Sequence, residues 1–162
     1  MNINDACWII LSYIFSPDAS VSYQKRISRS LPKRMQICKQ VAAQAQEMDF
    51  DPILAISVAY HETRFTYSKS NKGAQGPLGV LPKYHCPKQG KCNLVKAGIR
   101  ALIKFHNINP NSPCKALAQY NGGLKASCDG PSPSSFYAQR VLDTYYEIKH
   151  FNHKDQFNSP TH

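Results

Sequence analysis

This sequence predicts a mainly α, single-domain protein, and three observations point there. Apolar residues recur at three- and four-residue spacing in several separate stretches. Turn signals rich in Pro, Gly, Asn and Ser lie between those stretches. The chain has 162 residues, 42% hydrophobic and 19% charged, the ordinary balance of one domain that buries a core. That composition excludes wholesale disorder. The net charge of +10 is less ordinary. It implies a polyanionic partner (nucleic acid, an anionic membrane surface or bacterial cell wall), with a merely solubilising surface as the alternative.

The elements follow in order. Residues 1–15 read MNINDACWIILSYIF, with an apolar run from Ala6 to Phe15 that is too short to span a bilayer as a helix. Asp5 stands where a signal peptide carries positive charge, and no small-x-small cleavage site follows. The run therefore reads as a peripheral amphipathic helix, pinned if Cys7 pairs with Cys38, with a signal or membrane anchor as the alternative. Residues 16–35 hold Pro17, five Ser and the cations Lys25, Arg26, Arg29, Lys33 and Arg34. They read as a mobile basic linker, and residues 6–34 together allow weak contact with a membrane surface. The domain proper is expected over 36–149, with a frayed polar tail over 150–162.

Ile37, Val41, Ala45 and Met48 predict a helix from about Met35 to Met48. Asp51-Pro52 then supplies an N-cap followed by proline at the first helical position. The helix it starts, Ile53 to about Phe65, is apolar on several faces and so central to the core. Residues 66–93 form a loop-rich segment with room for short strands. Asn93 caps a helix in which Leu94, Val95, Ile99, Leu102, Ile103 and His106 repeat at helical spacing. After a Pro-Asn-Ser-Pro turn, a short helix from Lys115 to Tyr120 stops at Gly122-Gly123. A last helix runs from Phe136 to about Ile148.

Charge is unevenly placed along this chain. Between Glu62 and Asp129 there is no Asp or Glu, while eleven Lys or Arg fall in the same stretch, among them Arg64, Lys72, Lys83, Lys96 and Lys125. Glu62 sits one turn after Val58 and Ala59 with Phe65 beyond it. A glutamate among apolar neighbours loses hydration, which raises its pKa toward neutrality and suits it to general-acid work. The alternative is a structural glutamate paired to Arg64 or a nearby lysine.

The six cysteines (7, 38, 86, 92, 114 and 128) permit three disulfides in any of fifteen pairings. Cys86 and Cys92 bracket one short loop, and Cys114 and Cys128 bracket another. Closing the latter would stabilise the fold by about 3 kcal/mol. Bridges of this kind point to an oxidising compartment. A zinc site using His85, Cys86 and Cys92 is the alternative, although the spacing fits no ordinary finger.

Four short segments bear on function through their order. They are Glu62-Thr63-Arg64-Phe65; Gly73-Ala74-Gln75-Gly76 with Val80 and Pro82; Ala118-Gln119-Tyr120-Asn121-Gly122-Gly123; and Tyr137 with Val141-Leu142. In this order the chain resembles, over residues 36–146, the lytic transglycosylase domain of glycoside hydrolase family 23, whose relatives include goose-type lysozyme. The resemblance implies a lysozyme-like domain with its loop-rich segment after the catalytic helix. It implies Glu62 as sole catalytic acid and base, cleaving the β-1,4 bond between N-acetylmuramic acid and N-acetylglucosamine in peptidoglycan. Glu62 would protonate the bridging oxygen, then take the proton of the C6 hydroxyl as that oxygen closes on C1 to leave a 1,6-anhydro sugar. Such closure needs no second carboxylate, whereas an ordinary glycosidase needs a pair. Asp49, Asp51, Asp129 and Asp143 remain the residues that could fold into range and make it a lysozyme.

By the same resemblance Tyr137 orients Glu62, and Tyr120 and Asn121 line the groove. Thr63 keeps the hydroxyl of the family's serine and is expected, with Gln75, Gly76, Tyr120, Asn121 and Tyr137, among the substrate-binding residues. Gly73 and Gly76 let backbone approach the glycan. Two departures stand out. Pro77-Leu78-Gly79 replaces the family's Leu-Met-Gln, which leaves Gln75 to take up the glutamine's substrate contacts, and the loop bracketed by Cys86 and Cys92 is an addition that could wall the groove. The competing readings are a lysozyme hydrolysing the same bond and a non-catalytic cell-wall-binding or virion structural protein. No helix-turn-helix, zinc finger or aromatic RNA-binding motif accompanies the charge, so nucleic acid is not expected as a partner. Neither a metal nor an organic cofactor is implied. A monomer acting on glycan strands in the periplasm or outside the cell is expected, as a phage virion or lysis component or an accessory of a secretion apparatus.

Overall fold

A computed structural model describes residues 1–15, 18–88 and 91–157, with the backbone alone over 152–157. Its described residues form one mainly helical domain of seven helices, whose single β feature is a bridge between Gln75 and Val80.

The first helix, α1 (Ile3–Ser12), starts where the Asn2 side chain accepts the Asn4 amide at 2.7 Å. Ala6, Cys7, Ile10 and Leu11 on one face are fully buried, and Cys7 is bonded to Cys38. The helix expected to be peripheral is thus a core element, with Trp8 on its outer side.

The second helix, α2 (Val21–Glu47), corrects the reading of residues 16–35 as a linker. Ser20 caps it through a hydrogen bond from the Tyr23 amide, and the helix runs unbroken through Pro32. A proline inside a helix costs about 3 kcal/mol or more because it removes one backbone bond and crowds another. Burial on both sides offsets it: Ile27 before the proline and Met35, Cys38 and Val41 after it all enter the core. Residues 16 and 17 of the expected linker lie outside the described residues.

The central helix, α3 (Pro52–Thr63), begins as the sequence predicts. Asp51 Oδ1 accepts the amides of Ile53 (2.9 Å) and Leu54 (3.3 Å), and Pro52 occupies the first turn. All residues from Ile53 to Ala59 are buried. A helix apolar all round must be enclosed, and α1, α2 and α7 (Pro133–Phe157) pack around this one.

Two left-handed residues, Arg64 (φ 52°) and Phe65 (φ 61°), terminate α3. Neither is glycine, so both conformations are strained and need tertiary support. Phe65 is fully buried, and Arg34 on α2 donates to the Arg64 carbonyl at 2.5 Å. The loop-rich segment follows. It turns at residues 76–79, where Gln75 and Val80 exchange backbone bonds of 2.7 and 3.0 Å, and enters the one-turn helix α4 (Pro82–His85).

Asn93 caps α5 (Leu94–Ile108) and Ser112 caps α6 (Pro113–Gly122), which Gly123 ends at φ 87°. Helix α6 therefore starts earlier than predicted. Helix α7 continues past Ile148 to Phe157, where a frayed tail was expected. No Gly or Pro interrupts the chain between Pro133 and Pro160, so nothing stops the helix at Ile148. Residues 158–162 of that tail lie outside the described residues.

Three disulfides join Cys7 to Cys38, Cys86 to Cys92 and Cys114 to Cys128. They fit an oxidising compartment. The second uses both thiols of the alternative zinc set, so that reading is set aside. Among the described residues no helix is long and apolar enough to cross a membrane.

Candidate active site

Glu62 occupies the last turn of α3, partly buried, and opens on a cleft of about 340 Å³. The loop after α3 supplies Ser70, Lys72, Gly79 and Leu81 to this cleft, α4 supplies His85, and α6 supplies Tyr120 and Asn121. Among the described residues that line it, Glu62 is the one carboxylate.

Tyr137, near the start of α7, donates its hydroxyl to Glu62 Oε1 at 2.8 Å. Its side chain is only 6% exposed, and burial followed by the charge of Glu62 holds the phenol well above its ordinary pKa. Tyr137 is therefore a fixed donor. Burial pushes the Glu62 carboxyl up to about 7, and the Tyr137 hydrogen bond pulls the other way. Desolvation wins because one donor replaces only part of the lost hydration. A carboxyl poised there can give a proton and take one back at neutral pH. Glu62 makes no ion pair with Arg64 or a lysine among the described residues, so the structural alternative is not realised.

The other carboxyl oxygen, Oε2, lies against Gly79. A Cβ built on Gly79 would stand 2.5 Å from it, and Gly79 itself has φ +62°. Both facts demand glycine here. Sequence reasoning noted Gly79 only as a departure, but it is the residue that lets the 76–79 turn close on the acid. Tyr120 reaches the same place from α6. Its hydroxyl donates to the Leu78 carbonyl, tying α6 to that turn, and its phenol is raised by burial and then by Glu62. Asn121 lines the cleft with Oδ1 accepting the Ser134 hydroxyl at 3.1 Å, which turns the amide NH₂ to other use.

Of the three residues expected at the substrate by resemblance, Thr63 and Gly76 brace the scaffold and Gln75 is engaged through its backbone. Thr63 donates to the Pro77 carbonyl at 2.8 Å and accepts the Thr66 amide at 3.2 Å, bracing the end of α3 against the turn. Gln75 pairs through its backbone with Val80. Gly76 is buried where a Cβ would come within 2.8 Å of Leu94 Cβ, so it seats the turn on α5 and does not meet a ligand. None of the three lines the cleft. Gly73, likewise expected near the glycan, adopts φ +86° with its amide donating to the Ser70 carbonyl, a loop-turning role.

The aspartates that could have paired with Glu62 are placed elsewhere. Asp51 caps the opposite end of α3, about 16 Å away at 1.5 Å per residue, where it accepts from Tyr145 and pairs with Lys149. Asp49 lines a cavity beside it, and Asp143 lines another with Glu147. Asp129 is not among the residues of the cleft. The site residues that sequence reasoning missed are Ser70 and His85. His85 directly precedes Cys86, but nothing in the sequence says which way α4 turns its side chains, and residues 89 and 90 of the loop expected to wall the groove lie outside the described residues.

Compared with protein-family models, with curated proteins and with solved structures, the chain matches none.

Proposed function

We propose that this protein is a peptidoglycan lytic transglycosylase with a lysozyme-like fold, in which Glu62 is the single acid and base. The observation that carries this reading is a lone, partly buried carboxyl with its pKa raised to about 7, held by Tyr137 at 2.8 Å. A neutral carboxyl protonates the glycosidic oxygen. The carboxylate formed then takes the C6 hydroxyl proton as that oxygen bonds to C1, so bond cleavage and ring closure balance without water. Tyr137, anchored on Oε1, leaves Oε2 beside Gly79 as the oxygen that handles the proton. The absence of a second cleft carboxylate favours this course over hydrolysis, which relies on a pair.

The three disulfides support action in the periplasm or outside the cell, where the wall is. Digestion of purified peptidoglycan tests the reading through product masses. Anhydro-muropeptides, lighter by one water than reducing ones, are expected. Reducing ends would make the protein a lysozyme, and undiminished cleavage by Glu62→Gln would remove the assigned acid.

A further inference from the structure

We infer that the cleft wall built by Ser70, Lys72 and His85 is a carboxylate-recognition subsite, so that the preferred ligand is a glycan strand bearing anionic side chains over a bare one. The inference rests on Glu62 acting on a glycan in this cleft and adds which glycan it takes.

The wall consists of donors. Lys72 is exposed, and among the described residues its ammonium has neither a hydrogen bond nor an ion pair. His85 is partly buried, and its ring nitrogens are likewise without a protein partner. Ser70 Oγ accepts the Ala74 amide at 3.0 Å, which leaves its hydroxyl hydrogen to donate outward. On the rest of the cleft the polar groups are already engaged: Tyr120 with Leu78, Tyr137 with Glu62, and Asn121 Oδ1 with Ser134. Besides the Asn121 amide NH₂, the unengaged donors are those of Lys72, His85 and Ser70, and Lys72 is the one lysine or arginine among the described residues that line the cleft.

A neutral sugar offers hydroxyls that both give and accept, and it is met best by a mixture of donors and acceptors. A carboxylate accepts only, and charge-assisted bonds from ammonium, imidazole and hydroxyl are its strongest partners. Apart from Glu62 itself, the described residues that line the cleft include no carboxylate to compete for this wall. Burial, and then the charge of Lys104, lower the His85 pKa and keep the ring neutral, so it offers one N–H to a carboxylate while Lys72 supplies the charge. Ser70, Lys72 and His85 line the same cleft as Glu62 without bonding to it, as a subsite beside the reacting bond requires.

Binding and cleavage assays separate this inference from the enzymatic reading. Soluble glycan fragments carrying peptide stems, the same fragments with stem carboxylates amidated, and fragments stripped of stems are titrated against the Glu62→Gln protein at low ionic strength. Charged fragments are expected to bind about tenfold or more tighter than amidated or stripped ones, with the preference falling as salt screens it. In Lys72→Gln/His85→Gln the ratio should collapse toward one, while Lys115→Gln, an exposed cation outside the cleft, keeps it. Equal binding of all three fragments, or an unchanged ratio in the double variant, overturns the subsite whatever the cleavage assay returns. Preference for charged fragments without any cleavage by the wild type would leave the subsite standing and remove the enzyme.

Discussion

The two ends of α3 carry two carboxylates in opposite circumstances. Asp51 at the N-terminus accepts two backbone amides and the Tyr145 hydroxyl and pairs with Lys149. The helix dipole adds to the preference for a negative charge there. Glu62 at the C-terminus has one hydrogen-bond partner among the described residues, Tyr137, sits among buried residues and faces the unfavourable end of the same dipole. One helix thus holds a carboxylate whose partners favour its charge and a carboxyl whose burial disfavours it. Surroundings separate the roles, since the side-chain chemistry is nearly the same.

The sharpest way to break the contrast is to neutralise each end. Glu62→Gln is expected to lower turnover by roughly a thousandfold and to leave the fold intact. Its stability should change with pH in a definite direction. Glu62 has a folded pKa of about 7 against an ordinary 4.5, so between those values the folded chain keeps a proton that the unfolded chain has released. Stability therefore falls as pH rises through that window and stays lower above it. Glu62→Gln removes the penalty. Denaturant titration should find it equal to wild type near pH 4 and more stable above pH 7, by on the order of 2–3 kcal/mol. Asp51→Ala should do the reverse, losing about 2 kcal/mol with the pH profile of activity unchanged. A Glu62→Gln protein less stable than wild type at pH 8 would mean the carboxyl is not desolvated.

Gly79→Ala comes next in size. The new Cβ would meet Glu62 Oε2 at 2.5 Å, and a left-handed alanine adds about 1–2 kcal/mol of strain. Because the acid must move, a loss of roughly a hundredfold in kcat is expected, out of proportion to the shift in Tm. An activity loss no larger than the stability loss predicts would show that the turn gives way and not the glutamate.

Tyr137→Phe is smaller and more diagnostic. The hydrogen bond it removes holds the Glu62 pKa down, so burial then acts alone and the carboxyl rises above about 7. About a tenfold fall in kcat is expected, with the alkaline limb of the rate profile moved to higher pH. A limb moved to lower pH would mean that Tyr137 favours the neutral acid.

Much of this contrast was legible in the sequence, and the illegible parts share a cause. Asp51 and Asn93 mark their helices because an N-cap is a local event, read from one side chain and the amides after it, whereas Ser112 was hidden inside a turn signal. The pairing of Glu62 with Tyr137 is implied only by the resemblance, since nothing local in either segment brings them together. The first half of α2 was hidden because Pro32 and its cations look like a linker, although Tyr23, Ile27, Leu31 and Met35 stand four apart on a helical face. Gly79 could not be read, since an absent side chain gives no sign of what it makes room for. Ser70 and His85 depend on how the loop after α3 folds back, which is a tertiary matter. Thr63, Gln75 and Gly76 show the converse: proximity to Glu62 in sequence does not say which side of a turn faces the cleft.

Thr63 gives the smallest effect and the cleanest test of that last point. Its hydroxyl joins the Pro77 carbonyl to the Thr66 amide, so Thr63→Val should unpair both and cost about 1 kcal/mol. In a domain of this size that is about 2–4 °C in Tm. Thr63→Ser, which keeps the hydroxyl, should recover most of it. KM should stay near wild type in both, because the side chain does not line the cleft. A group that touched substrate would behave the other way, raising KM in Thr63→Val with little change in Tm. Since valine nearly matches threonine in shape, a difference between the two variants reports the hydroxyl and not the packing.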